Sequence, residues 1–399
     1  MSGSRLGRDP SGQGDAARPL SSETGRFWVG LDVGEDRTHL CIVDDEGTVA
    51  HEATCPSVAR QIAAILKAWK SIGLIAVEAG VGTHLVRGLR GLGYTTELFE
   101  ARQASKILAI YRNKTDRNDA RGLAEIARLA RYSISRIHLK SVDFQRLRMW
   151  LSLRNQLISQ RIAAEGLIRS MFSLHGVKLG HFASAVGIRR KIAAGLAEME
   201  PELVPALSED VAPLVEVASA LRAHISGIDR RLEKFASENP ICRSFLEIPG
   251  IGPLCAISFY SAIEEPGRFA ENSTVGAYLG LTPRVHQSGR QRRRERISKM
   301  GNTLTRFHLV MAARVVLKPT PRETALRAWG VAVVARAGHR RARVAVARKL
   351  AVMMLAMWKS GTPFRPRPDP TPSADGLHTL RQEDGPGLRA VASRFDEGS

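Results

Sequence analysis

The stretch FWVGLDVG, Phe27–Gly34, is an apolar run that ends in an acid, Asp32, closed off by a glycine. It reads as a strand that delivers a carboxylate at its end. Working outward, THLCIVDDEGTVAHEATC (Thr38–Cys55) gives two further strand-like runs with DDEG, Asp44–Gly47, as the turn between them. SVARQIAAILKAWKSIG (Ser57–Gly73) has helical apolar spacing and stops at Gly73. LIAVEAG (Leu74–Gly80) is a second short apolar run ending in an acid, Glu78. THLVRGLRGLG (Thr83–Gly93) reads as a helix that closes at Gly93, and YTTELFE (Tyr94–Glu100) as another strand.

Three antiparallel strands, a helix, a strand, a helix and a strand form a mixed α/β unit, expected over residues 26–135. That order matches a ribonuclease-H-like sheet. In it the strands bearing Asp32 and Glu78 are neighbours, so the two carboxylates lie side by side. KTDRNDA, Lys114–Ala120, adds Asp116 and Asp119 at what reads as a helix start. Three residues apart on a helix, both point from one face. That face can pack across the two strand ends and bring four carboxylates together. Such a group repels itself unless a cation is present, and hard oxygen ligands favour Mg2+, with Mn2+ an acceptable substitute. Bland readings stand beside this one. Asp116 and Asp119 also suit a helix cap and a first turn that complements the helix dipole, and acids among bases also suit a solvated helix face.

The chain has 399 residues, enough for two or three domains, and a formal net charge of +20. That charge points to a polyanionic partner, nucleic acid before an anionic membrane surface. No run of about twenty apolar residues is apparent, so no membrane span is expected. Residues 1–25 lack an apolar signal core and read as a disordered extension. Four cysteines with no CxxC spacing argue against a zinc site and a disulfide framework, which fits a cytoplasmic protein.

Residues 136–240 read as long amphipathic helices, either a coiled-coil arm that pairs protomers or a plain helical linker. Residues 241–362 read as a further, mainly helical unit, and the Pro-, Asp- and Gly-rich segment 363–399 as a disordered tail. In the third unit PGIGP, Pro249–Pro253, resembles a helix-hairpin-helix turn. There Gly250 and Gly252 let backbone approach a phosphate, although an ordinary tight turn before a helix reads the same way. RVHQSGRQRRRERISK follows, with Arg284, Arg290, Arg292, Arg293, Arg294, Arg296 and Lys299 against the single Glu295. So one-sided a run suits phosphate contacts. Ser288 heads it; a serine beneath arginines can attack phosphorus, although spacing alone does not separate it from an ordinary loop serine, nor from Ser273 or Ser298. A GLDVG strand also opens sugar kinases and actin-like ATPases, but those need a second Gly-rich phosphate loop with its own acid, and PGIGP lacks the acid.

GLDVG, VEAG, KTDRNDA, IPGIGP, GLTPRVHQSG and ISKMGN together, in order over roughly residues 27–362, resemble the DEDD transposases of bacterial insertion sequences, the family numbered one-ten, related to the Piv DNA invertases. The resemblance implies a RuvC-like domain whose acids are Asp32, Glu78, Asp116 and Asp119. It also implies a C-terminal transposase domain whose nucleophile is Ser288, a structured noncoding bridge RNA that selects DNA, and composite sites in a homo-oligomer, a dimer or tetramer. The long N-terminal extension, the dense arginine run and the extended middle helices depart from the family pattern. Two other functions fit the residues: a RuvC-like nuclease in which water attacks, and a non-catalytic nucleic-acid scaffold.

Overall fold

The computed structural model describes residues 25–109, 115–130, 134, 136–288, 291–319 and 324–365. The extension and tail expected at the two ends therefore lie almost wholly outside the described residues. The chain divides into two compact units, Met1–Lys140 and Ser141–Ser399.

The first unit is a six-stranded sheet with helices on both faces. Its elements run β1 (Phe27–Val33), β2 (Arg37–Val43), β3 (Val49–Pro56), α1 (Ala59–Leu66), β4 (Ile72–Glu78), α2 (Thr83–Gly91), β5 (Thr96–Phe99), α3 (Ala101–Leu108), α4 (Asp116–Glu125) and β6 (Arg136–Ile137), with a π-turn at Ile126–Ala130 after α4. The spatial order is β3-β2-β1-β4-β5-β6. The β1–β2 and β2–β3 pairs are antiparallel, β1–β4 and β4–β5 are parallel, and β6 closes the edge antiparallel to β5. The antiparallel β1–β2–β3 run and the adjacency of β1 and β4 follow the expectation from the sequence, whereas the edge strand β6 was not anticipated.

Alternation along each strand sorts the side chains into two layers. Val29, Leu31, Leu40, Ile42, Ile75, Val77 and Leu98 bury against the first two helices, through Ile62, Leu66, Leu85 and Leu89. Trp28, Cys41, Leu74, Ala76 and Phe99 bury on the opposite face against Ala120, Leu123, Ala124 and Ala127 of α4 and its π-turn. The helix comes very close. A Cβ added at Gly30 would lie 2.0 Å from the Ala120 carbonyl oxygen and 2.2 Å from the Ala124 amide nitrogen. Only a glycine lets α4 lie directly on β1.

The second unit is mainly helical: α5 (Val142–Leu174), α6 (Ala185–Ala197), α7 (Val204–Glu238), α8 (Pro240–Leu246), α9 (Pro253–Ile263), α10 (Val275–Tyr278), the hairpin β7 (Pro283–Ser288) and β8 (Gln291–Ile297), α11 (Thr303–Val316) and α12 (Ala325–Ser360). The two long helices α5 and α7 join two cores. Near one end Ile168 and Phe172 of α5 and Leu207, Val211 and Ala218 of α7 bury with Ile188 and Ile192 of α6. Near the other end Leu147, Leu151, Leu232 and Ala236 enter a larger core with α8, α9, α11 and α12. Between them Arg154 pairs with Asp229, and Arg222 donates to the buried Glu165 at 2.8 Å. By length and apolarity α7 is long enough to cross a membrane, with a window of mean hydropathy 1.2, a stretch not anticipated from the sequence. Its Arg222 and Asp229 are nevertheless tied to partners on α5. All four cysteines are buried free thiols.

Candidate active site and nucleic-acid surface

Asp32 and Glu78 extend the α4-facing rows of β1 and β4, two residues beyond Gly30 and Ala76. Leu31 and Val77 pair in register, so the two strand ends finish together. Thr115 caps α4, its hydroxyl accepting from the Asn118 amide at 3.2 Å. The cap is therefore Thr115 and not Asp116, and Asp116 and Asp119 sit in the first turn. Because Gly30 seats the helix on the strand, that turn arrives over the carboxylate end of the sheet.

The electrostatics of Asp32 record the convergence. Its carboxyl is raised from 3.8 to about 6, by burial first and then by the charges of Asp119, Asp116 and Glu78, with His39 opposing them. The four acids named from the sequence thus share one electrostatic neighbourhood. They are not closed around a point: among the described residues, no group of three or more His, Cys, Asp or Glu side chains has the spacing of a ligand shell. The two findings are compatible, since coulombic coupling reaches further than a metal–oxygen bond. In kind the donors suit a hard divalent cation, four carboxylates whose mutual repulsion such an ion relieves.

Two contacts here were not foreseen. His39 lies opposite Asp32 in the β1–β2 register, and its Nε2 stands 3.4 Å from Asp116 Oδ2. Arg117 pairs with Glu52 on β3. The bases around the acid pair thus include one that ties α4 to the hairpin. A histidine in the middle of a strand gave no sequence signal of this role; only the register places it.

In the second unit, Ser288 ends β7 and pairs in register with Gln291. Its side chain lies outside the described residues, as do Lys114, Arg290 and the side chains of Arg292, Arg293 and Arg294. Arg284, Arg296 and Lys299 are exposed, and Arg284 donates to the Ser298 carbonyl at 3.2 Å. Ser273 donates to Glu271 and Ser298 accepts from the Met300 amide, local roles for both. The base of the hairpin is held by a residue that gave no signal in the sequence. Arg306, a buried guanidinium on α11, donates to the carbonyls of Leu279 and Met300, each at 2.9 Å. Leu279 immediately precedes the GLTPRVHQSG motif and Met300 lies within ISKMGN, so one cation clamps the two ends of the hairpin.

The PGIGP turn joins α8 to α9. Gly250 has φ +88°, and a Cβ there would lie 2.9 Å from the Ala312 carbonyl oxygen of α11, so packing within the protein accounts for that glycine. Gly252 has open space around it. A further basic surface went unassigned in the sequence. Helix α12 carries Arg327, Arg336, Arg340, Arg341, Arg343, Arg348, Lys349 and Lys359 and no acid. It breaks at Gly338, with Arg336, Arg340 and Arg341 exposed around the break. The signal was present, a 36-residue helix with charges of one sign only.

A mixed α/β unit with four coupled acids at its sheet end, joined to a strongly basic helical unit, defines an enzyme class that works on nucleic-acid phosphates. Comparison with known proteins makes the class specific. Residues 29–175 match a family model described as "Transposase", and residues 242–327 match one described as "Transposase IS116/IS110/IS902 family". Similar proteins include the "Transposase for insertion sequence element IS1111A" of Coxiella burnetii, 28% identical over 82% of this chain and 88% of the relative. The "Transposase for insertion sequence element IS1328" of Yersinia enterocolitica is 23% identical over 84% and 98%. A "Probable family 20 transposase" of Pseudomonas aeruginosa is 28% identical over 73% and 86%. The chain belongs to the IS110 family of DEDD transposases, enzymes that cut and rejoin DNA.

Proposed function

We propose that this transposase cuts and rejoins DNA through a phosphoserine intermediate. The Ser288 hydroxyl attacks a backbone phosphorus; an Oγ–P bond forms as one P–O bond of the DNA breaks, and the hydroxyl proton passes to the leaving oxygen by way of solvent. One phosphodiester replaces another, so rejoining needs no ATP. The observation that carries the acidic half of this reading is Asp32, whose carboxyl is driven up to about 6 by burial and by the other three acids. Asp32, Glu78, Asp116 and Asp119 would hold the divalent ions, Mg2+ or Mn2+, which when bound supply charge neutralisation on the phosphate oxygens. The chain's own part is to present these oxygens from two fixed strand ends and one helix turn, and to hold DNA beside them.

The basic residues do the holding. Arg284 lies on β7, Arg292, Arg293, Arg294 and Arg296 on β8 and Lys299 just beyond it, and the α12 arginines add further cationic charge. Gly252, with open space around it at the start of α9, is the proposed point of approach for a phosphate. A structured noncoding RNA encoded beside the gene is the proposed guide to donor and target DNA, on the family resemblance. Assembly as a dimer or tetramer through the α5–α7 arm, RuvC-like chemistry in the first unit and action in the cytoplasm complete the reading.

The test separates cutting from binding. Asp116→Asn and Asp119→Asn each leave salt-sensitive binding to element-end DNA within about threefold of wild type and remove strand cleavage by about a hundredfold or more, the scale of losing a key electrostatic group. Cleavage that persists in chelator, or in these variants, contradicts the assignment. Hydrolysed ends without a protein–DNA adduct would favour the metal nuclease instead.

A further inference from the structure

We infer that His39 is a positioning residue for the Asp116 carboxylate, oriented in turn by Thr54. The inference rests on the reading of the four acids as an ion-binding group. Asp32, His39 and Thr54 form a row across three strands, because Asp32 pairs with His39 and His39 with Thr54 in the two antiparallel registers. Residues directly opposite on adjacent strands project from the same face. This is the face that α4 crosses.

Both imidazole nitrogens are engaged in that row. Nδ1 lies 3.1 Å from the Thr54 hydroxyl oxygen, and Nε2 lies 3.4 Å from Asp116 Oδ2. A hydroxyl donating to Nδ1 leaves the proton on Nε2, where it faces the carboxylate. At 3.4 Å that approach is looser than a full hydrogen bond, so it sets direction more than it adds stability. Asp116 needs such a guide. Its side chain is 72% exposed, and it stands at the first position of its helix. Asp32, by contrast, is partly buried on a strand inside the sheet.

The same face carries a second strut. Arg117, next to Asp116, reaches Glu52 on β3. A cleft of about 340 Å³ lined by His39, Glu52, Thr54, Arg117 and Ala120 opens between the two struts. Two side chains of the β2–β3 hairpin therefore grip the first turn of α4. Arg117 holds the helix start through an exposed pair that counts for little energetically. His39 holds the functional carboxylate itself. Residues that orient a ligand in this way change ion affinity when removed, even though they touch no ion.

The experiment compares full-length wild type, His39→Ala, His39→Gln and Thr54→Val. Mn2+ binding is followed by electron paramagnetic resonance without DNA, and melting temperature is measured alongside. His39→Ala should weaken Mn2+ binding by about tenfold, at the lower end of such effects. It should raise the Mg2+ needed for half-maximal cleavage by a similar factor and leave the melting temperature within a few degrees. His39→Gln keeps an N–H of similar reach and should recover most of the affinity, and Thr54→Val should fall between wild type and His39→Ala. Unchanged Mn2+ binding in His39→Ala overturns the inference. So does an equal loss in the Ala and Gln variants accompanied by a lowered melting temperature, which marks a packing role alone. A wild-type protein that binds no Mn2+ removes the underlying reading of the acids, and the inference with it.

Discussion

Burial and three neighbouring carboxylates raise Asp32 from 3.8 to about 6, and a shift of that kind has a definite sign. The folded state binds this proton more tightly than the unfolded chain does. The contribution of Asp32 to stability is therefore fully present below pH 3.8 and is lost as pH rises towards 6. Asp32→Asn should accordingly raise stability at pH 7 in chelator by about 1 kcal/mol, after allowance for the partial exposure of the site. Calorimetry at pH 7 and at pH 3.5 checks this, since the gain should vanish at the lower pH. Added Mg2+ should stabilise wild type and not the variant. A variant less stable than wild type at pH 7 in chelator contradicts the electrostatic account. At this scale the sequence told much. That the four acids come near one another was legible, because they sit at strand ends and in a first helical turn; their role as ion ligands belongs to the proposal. His39 and Arg306 were not, because the first acts through strand register and the second through carbonyls distant in sequence, and neither leaves a local pattern.

At the scale of elements, the position of α4 depends on Gly30. A methyl group there meets backbone atoms of Ala120 and Ala124, which cannot turn aside as a side-chain tip can. Gly30→Ala should cost about 2–3 kcal/mol, the upper range for overpacking, and should lower cleavage further than stability loss alone explains. Denaturant titration and cleavage at a temperature where the variant stays folded separate the two effects. The glycine was visible in GLDVG, yet the sequence showed only the acid beside it; the need for a glycine arises from a helix that arrives about ninety residues later. The α12 arginines belong to this scale too. Arg336→Gln, Arg340→Gln and Arg341→Gln combined should flatten the salt dependence of DNA binding by about 0.9 in log–log slope for each phosphate that is no longer neutralised. Arg60→Gln, Lys67→Gln and Lys70→Gln combined remove the same charge on and beside α1, against the other face of the sheet, and serve as the control. Equal slopes in the two triples would mean that only net charge matters.

At the scale of the whole molecule, the cores fall entirely within one unit or the other. Residues 25–140 expressed alone should therefore fold, with a cooperative melting transition and the Asp32 behaviour described above. Spectroscopy on that fragment checks this, and a molten fragment would show that the sheet relies on the helical half. The alternation of helix and strand made the first unit legible from sequence. The second was legible only as helix, because a broken α12 and a hairpin inserted between helices follow from tertiary packing. On the proposed reading, the net charge of +20 and the joining of acids to bases in one chain serve DNA, the acids at the reacting phosphate and the bases along the rest of the backbone. The measurement that tests this most directly is mass spectrometry of the peptide left attached to element-end DNA after reaction in Mg2+ and digestion. The account predicts a nucleotide linked through phosphate to Ser288, absent in Ser288→Ala and in Asp32→Asn. A nucleotide on another residue, or cut DNA carrying no peptide at all, would contradict it.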